Sequence, residues 1–179
     1  MKKKLIALFG ALSLVAFGFH TVLSIRYFVG AISYTPVINI LGIIFVVFVT
    51  VHAILAVSDM IRLARKTKND KFYGKYIAEH GFQNISGIGI YIAAILHTIA
   101  IEANRAVGSN LTGIIWFVAD IVLYIFVCMH FIYSVPHIFI SLGIVTNPIV
   151  YKIIRLLMII ISIILFVLLV NAHWLFYQM

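Results

Sequence analysis

Five long apolar stretches, separated by short connections, dominate the pattern of hydrophobic and polar positions along the chain. Each is about 20 residues or longer, the length that an α-helix needs to cross a hydrocarbon core of about 30 Å. The pattern therefore predicts an all-α fold, an integral membrane bundle of five transmembrane helices. The expected helices are Leu5–Val29, Val37–Ile61, Phe82–Ile101, Gly113–Val135 and Pro148–Phe176, joined by Gly30–Pro36, Arg62–Gly81, Glu102–Thr112 and Pro136–Asn147.

The composition supports a membrane protein. Hydrophobic residues make up 64% of the chain and charged residues 10%, whereas soluble domains carry about 25% charged residues. So little polar surface cannot wrap a core of this size, so lipid is expected to surround most of the chain. We expect residues 1–179 to form a single transmembrane domain. Its first stretch is interpreted as a retained helix, because the apolar run continues beyond the length of a signal peptide.

Lysine and arginine concentrate at one end of the predicted bundle. Eleven of them lie on the side that holds the N-terminus, and only Arg26 and Arg105 lie on the other side. Positive charge is retained on the cytoplasmic side of a membrane. The N-terminus is therefore expected inside and the C-terminus outside. The net charge of +8 is thus interpreted as an orientation signal and not as a nucleic-acid-binding surface.

Four of the seven histidines lie deep within apolar stretches, one on each of the first four predicted helices. Ionisable residues inside a membrane are costly and are functional by default. At 1.5 Å rise per residue, two of the four lie about 22 Å from the inner boundary, and the other two lie about 22–25 Å from the outer boundary. The histidines therefore form two predicted pairs about 15 Å apart in depth. These are the 20/97 pair (His20 and His97, near the outside) and the 52/130 pair (His52 and His130, near the inside).

Of the other three histidines, His80 is expected in the inner connection, His137 at an inner helix end and His173 near the outer end of the last helix. Each is expected to reach water or headgroups. Pro136 is expected to bend or end the fourth helix just before His137. The single cysteine, Cys128, excludes an intrachain disulfide and is expected to be a small buried apolar side chain.

Two histidines that face each other from different helices at one depth suit a six-coordinate haem iron in a bundle core. Small side chains near the 20/97 pair leave room for a flat macrocycle, although they equally permit close helix packing. They are Ser86, Gly89, Ala93, Ala94 and Ala100 around His97, and Ser13, Ala16 and Ser24 around His20, whereas Phe48 and Phe126 lie near the 52/130 pair. A zinc site is the main competitor, but it needs three or four converging ligands.

The stretch QNISGIGIYIAAILH, Gln83 to His97, resembles the third helix of a known family. This is the cytochrome b membrane-anchor subunit of succinate dehydrogenase and fumarate reductase, in its single-chain, five-helix, two-haem form. The resemblance extends over the whole chain in helix count, topology and order of the histidines. Within the chain itself we find no sequence repeat. The local signature of the resemblance is the pair Ser86–Gly87 ahead of His97. The chain departs from the family in lacking an arginine expected near Gln83.

The resemblance implies that two haem b groups are bound through axial histidines. The 20/97 pair would serve the outer, distal haem and the 52/130 pair the inner, proximal haem. It further implies two partner subunits on the inner face, an FAD-containing flavoprotein and an iron–sulfur protein. The chain would carry electrons between the iron–sulfur subunit and a membrane quinone of the menaquinone type. It would form one part of an enzyme without any dicarboxylate chemistry of its own.

Three charged residues near the outer end are further candidates. Arg26 and Arg105 could pair with haem propionates, or they could extend to the headgroups. Glu102 could exchange protons with quinone, or it could be a solvated residue at a helix end. Two rivals stay open: a cytochrome b subunit of another membrane dehydrogenase or hydrogenase, and a transporter or passive anchor whose histidines line a polar path.

Overall fold

The computed structural model describes the backbone of residues 2–67, 72–107 and 110–178, and the side-chain surroundings of residues 2–62, 81–99 and 114–176. Within these ranges every regular element is a helix. The helices are α1 Lys2–Phe28, α2 Pro36–Thr67, α3 Phe72–Val107, α4 Asn110–Ser141 and α5 Pro148–Gln178. Each contains a segment long and apolar enough to cross a membrane. The prediction of an all-α fold with five helices long and apolar enough to span a membrane is therefore confirmed.

Helices α2 and α3 extend beyond their apolar stretches into the predicted Arg62–Gly81 connection. Helix α2 continues to Thr67, and α3 begins at Phe72. Hydropathy marks only the part of a helix that lies in lipid, whereas the arginine, lysine and alanine residues after Ile61 favour a helix in water as well. The predicted connection was therefore too long at both of its ends. The predicted Glu102–Thr112 connection was too long for the same reason.

Helix α4 continues through a proline in its interior. We expected Pro136 to bend or end this helix, but α4 runs on to Ser141, and the Pro136 side chain is fully buried. A proline removes one backbone hydrogen bond, and neighbouring helices in a membrane bundle compensate for that loss. His137 consequently lies within α4 and not in a connection. Its ring is 5.9 Å from the ring of Tyr151 on α5.

Glycines and prolines close the short connections after α1 and α4. Gly30 and Gly143 adopt φ angles of 72° and 79°, a left-handed conformation that glycine adopts without steric cost. The amide that follows each glycine donates a 2.9 Å hydrogen bond to the carbonyl five residues earlier, which is a Schellman helix end. The next helices begin at Pro36 and Pro148, whose fixed φ suits the first helical turn.

The helices assemble as two antiparallel hairpins and one additional helix. Helices α1 and α2 pack closely along their lengths, as do α3 and α4, whereas the contacts of α1 with α4 and of α2 with α3 are sparse. Helix α5 packs on α4, where the Cys128 thiol donates to the Ser162 carbonyl at 3.2 Å. An apolar cleft of about 230 Å³ separates α2 from α3, and its lining includes Val46, Tyr91 and Ala94.

Candidate functional site

Three of the four intramembrane histidines are held in the same way. The Nδ1–H of each donates to a backbone carbonyl on the other helix of its hairpin. The acceptors are Ile38 for His20 at 2.9 Å, Ile6 for His52 at 2.9 Å and Gln83 for His130 at 3.2 Å. Because Nδ1 donates, Nε2 carries the lone pair of the neutral ring. A backbone acceptor at Nδ1 fixes this tautomer in metal-ligating histidines as well.

A glycine on the facing helix lies against each of these three rings. A Cβ atom added at Gly42, Gly10 or Gly87 would lie 3.2 Å from the Cε1 atom of His20, His52 or His130, respectively. Such an approach is tighter than ordinary carbon–carbon contacts of about 3.5–4.0 Å. The absent side chain therefore allows the ring to reach the backbone carbonyl four residues before the glycine.

The fourth histidine departs from this arrangement. His97 Nδ1 donates to the Asp120 carboxylate on α4 at 2.7 Å. The other oxygen of Asp120 lies 3.4 Å from His173 Nδ1, and the same nitrogen is 3.1 Å from the Tyr124 hydroxyl. Asp120 is 4% exposed and His173 is also 4% exposed. The expectation that His173 reaches water was therefore wrong, because α4 and the ring of Phe28, stacked on it at 5.1 Å, enclose it.

These contacts reveal a repeat that the sequence analysis missed. Gly10, Gly42 and Gly87 each precede a histidine of the same helix by ten residues, and Asp120 precedes His130 by ten residues. The flanking segments match as well. FVTVHAILAV (48–57) and FVCMHFIYSV (126–135) share five positions, and GALSLVAFGFHT (10–21) and GIGIYIAAILHT (87–98) share four. Hairpin α3–α4 therefore repeats hairpin α1–α2, with Asp120 at one glycine position.

His20 and His97 lie within electrostatic range of each other, as do His52 and His130. The two members of each pair come from different hairpins, so each pair spans the sparse contact between the hairpins. Among the described residues, no three His, Cys, Asp or Glu side chains are grouped as a metal-ion site requires.

Several other predicted residues have different surroundings from those expected. Ser86, predicted to make room beside His97, is fully buried and lies 3.2 Å from His130 Nδ1. Gly89 does not lie open to a cofactor, because a Cβ there would be 2.6 Å from the Phe126 ring. Ala93 and Ala94 are buried.

The charged candidates lie at or beyond the limit of the described side chains. Arg26 is exposed in the last turn of α1. The side chains of Glu102, Arg105, His80 and Ala100 lie outside the described part of the chain.

Two polar groups near the histidines were not predicted. The Ser134 hydroxyl donates to His130 Nε2 at 3.0 Å, so it occupies the nitrogen that would face a metal. The indole N–H of Trp116, one turn from Asp120 on α4, is buried without a hydrogen-bond partner in the described part of the chain. An unsatisfied buried donor is costly and is a reason to expect an acceptor at this position. Comparison of the chain with family models, curated proteins and solved structures finds no match.

Proposed function

We propose that the chain is a di-haem cytochrome b subunit of a membrane-bound oxidoreductase, with axial ligands His20 and His97 for one haem and His52 and His130 for the other. The observation that carries the proposal is the arrangement of these four rings. They come in two pairs, each pair joins two hairpins, and every ring has its Nδ1 engaged by a neighbouring acceptor. That arrangement leaves the Nε2 atoms as the nitrogens for coordination, and within the described part of the chain no third His, Cys, Asp or Glu side chain completes a metal-ion site.

Several features of the surrounding residues support haem as the bound group. Two imidazoles for each iron are a known b-type ligand set, and two ligands suffice only if a macrocycle fills the remaining coordination positions. The sparse contact between hairpins is where a flat group could insert, next to the apolar cleft beside Ala94. The buried Trp116 N–H would find an acceptor in a haem carboxylate. The Ser134 hydroxyl would have to turn away from the ring of His130 to free its Nε2 atom. It can do so by donating to a backbone carbonyl one turn earlier on α4.

Bound haem would supply reversible one-electron chemistry at two depths of the membrane. The chain's own part is to hold and orient the groups. The backbone carbonyls of Ile6, Ile38 and Gln83 fix three rings, and Asp120 fixes the fourth. The exposed surface of the helices is largely apolar, so in a membrane lipid and not water would surround the space between the hairpins, which would strengthen the electrostatic contacts inside it.

The resemblance to the succinate dehydrogenase and fumarate reductase anchors extends the proposal to partners and orientation. The cluster of lysines and arginines marks the inner face, where an iron–sulfur subunit and its flavoprotein would dock near the 52/130 pair. The membrane would be the bacterial cytoplasmic membrane, with the C-terminus outside. Electrons would be exchanged with a membrane quinone of the menaquinone type, as the resemblance implies, with Glu102 as a proton-exchanging residue. Arg26 and Arg105 would serve the carboxylates of the outer haem.

A reduced-minus-oxidised absorption spectrum of the purified full-length chain tests the proposal. We expect the bands of a six-coordinate b-type haem, reduced in intensity by His20→Ala and by His52→Ala. His137→Ala is the control, because His137 is a histidine within a helix, α4, but lies outside both pairs, and its replacement should leave the spectrum unchanged. A chain without haem bands would refute the cytochrome reading and favour a transporter or a passive anchor.

A further inference from the structure

One difference between the two predicted haem positions concerns the groups that accept hydrogen bonds from the histidine Nδ1 atoms. Around the 52/130 pair, both rings lie against a glycine and both donate to a backbone carbonyl. Around the 20/97 pair, only His20 has that arrangement. The position that the repeat assigns to a fourth glycine is occupied by Asp120, whose carboxylate accepts the hydrogen bond from His97. One histidine in four therefore has a carboxylate partner.

The Asp120 contact is short, buried and held from a second side. The distance of 2.7 Å is at the short end for N–H···O bonds, as is typical when the acceptor is charged. The side chain of Asp120 is 6% exposed and that of His97 is 20% exposed, so little water competes for the contact. His173, 3.4 Å from the other carboxylate oxygen, and its neighbour Tyr124 limit the ways in which Asp120 can turn.

We infer that Asp120 is a positioning residue that lowers the reduction potential of the haem held by the 20/97 pair relative to the haem held by the 52/130 pair. The inference rests on the proposed function, since it needs haem at both positions. A carboxylate that accepts the Nδ1–H of a ligating imidazole makes the ring more basic and a stronger donor to the metal. This stronger donor stabilises the ferric ion more than the ferrous ion. The negative charge of the nearby carboxylate acts in the same direction, because the ferric ion carries the greater positive charge.

The direction of the effect follows from the charge balance of the couple. Reduction adds one electron to the iron, and the inference requires no proton to move to or from Asp120. The oxidised form carries one more positive charge than the reduced form, so a negative neighbour stabilises the oxidised form. A backbone carbonyl, the acceptor at the other three histidines, carries no net charge and has a weaker effect.

A potentiometric titration of the full-length chain in membranes, followed by its absorption spectrum, tests the inference. The component that disappears in His20→Ala identifies the haem of the 20/97 pair. Asp120→Asn keeps the shape of the side chain and removes its charge, and Asp120→Gly recreates the arrangement found at Gly42. Asp59→Asn is the control, because Asp59 is also a buried aspartate but pairs with Arg62 at 2.8 Å and contacts none of the four histidines in the described structure.

At a fixed ambient potential, we expect Asp120→Asn to raise the reduced-to-oxidised ratio of the 20/97 haem by about tenfold, because charged acceptors form the stronger bonds. For a one-electron couple this is a rise of about 59 mV. Asp120→Gly should shift the ratio in the same direction, and it decides the question if the Asn variant does not accumulate. Asp59→Asn should shift neither haem.

An unchanged potential in both Asp120 variants, or an equal shift of both haems, would overturn the inference while leaving the di-haem proposal in place. So would a shift in Asp59→Asn as large as in Asp120→Asn. A wild-type chain without haem would overturn the proposed function, and this inference with it.

Discussion

Substitution of Gly42 by larger residues crowds the ring of His20 most strongly at Cε1 and Nδ1, whereas Nε2 stays at an ordinary contact distance of 3.9 Å. A Cβ at Gly42 would lie 3.2 Å from Cε1 and 3.4 Å from Nδ1 of His20, whereas carbon atoms pack at about 3.5–4.0 Å. The ring must therefore move by a few tenths of an ångström and strain its 2.9 Å bond to Ile38. Overpacking costs about 1–3 kcal/mol, and one methyl group belongs at the lower end. About 1 kcal/mol corresponds to a factor of about five in haem affinity.

Gly18, two residues from His20 on the same helix, offers a matched control. A Cβ there would meet no atom within 4 Å, and both glycines lie inside helices, so the gain in helix propensity on replacement is common to the two. We expect Gly42→Ala to weaken retention of the 20/97 haem about fivefold and Gly42→Leu to abolish it. Gly18→Ala and Gly18→Leu should keep both haems.

The assay for this series is the molar ratio of haem to chain in detergent. It is measured after purification and again after a dilution that allows haem to dissociate. Loss of one haem in Gly42→Leu, with the other retained, is the expected result. Two haems and an unchanged spectrum in Gly42→Leu would refute the reasoning that glycine makes the room for the histidine ring.

Three further substitutions test other contacts. Gly89→Ala places a Cβ 2.6 Å from the Phe126 ring, so it should lower the free energy of unfolding by about 1–3 kcal/mol, measured as a lower midpoint in thermal denaturation. Ser134→Ala removes the hydroxyl that bonds to His130 Nε2, and haem titration should show binding at the 52/130 pair that is as tight as in the wild type or tighter. Trp116→Phe removes a buried donor that has no partner in the described structure, so it should leave the stability of the haem-free chain unchanged while reducing haem retention at the 20/97 pair.

The membrane fold could be predicted because lipid imposes a simple requirement on sequence. Each helix must satisfy its backbone internally and present apolar side chains for about 20 residues, and that requirement located all five helices. The ends of the helices were less predictable. Hydropathy does not register the helical turns of α2 beyond Ile61. The general effect of proline on helices predicted a break at Pro136, whereas α4 continues to Ser141.

The grouping of the histidines followed from depth alone, because the rise of a helix converts residue number into height. What depth cannot give is the rotation of each helix about its axis. For that reason Ser86 was assigned to the surroundings of His97, whereas it contacts His130. The same limitation left Asp120 without a role, although it directly bonds to His97.

One signal in the sequence could have located Asp120. The spacing of ten residues between glycine and histidine occurs three times, and in an antiparallel hairpin it places each glycine opposite the histidine of the other helix. At the fourth histidine, His130, the position ten residues earlier holds Asp120 in place of a glycine. An alignment of the two hairpins by this spacing, and not only a search for repeated letters, would have identified Asp120.

The pairing of the histidines is the centre of the account, and double substitutions test it most directly. The haem-to-chain ratio should be two in the wild type and one in each single variant, His20→Ala, His52→Ala, His97→Ala and His130→Ala. The double variant His20→Ala/His97→Ala removes both ligands of one haem and should still retain one haem per chain. The double variant His20→Ala/His52→Ala removes one ligand from each pair and should retain none. Equal haem content in these two double variants would contradict the account.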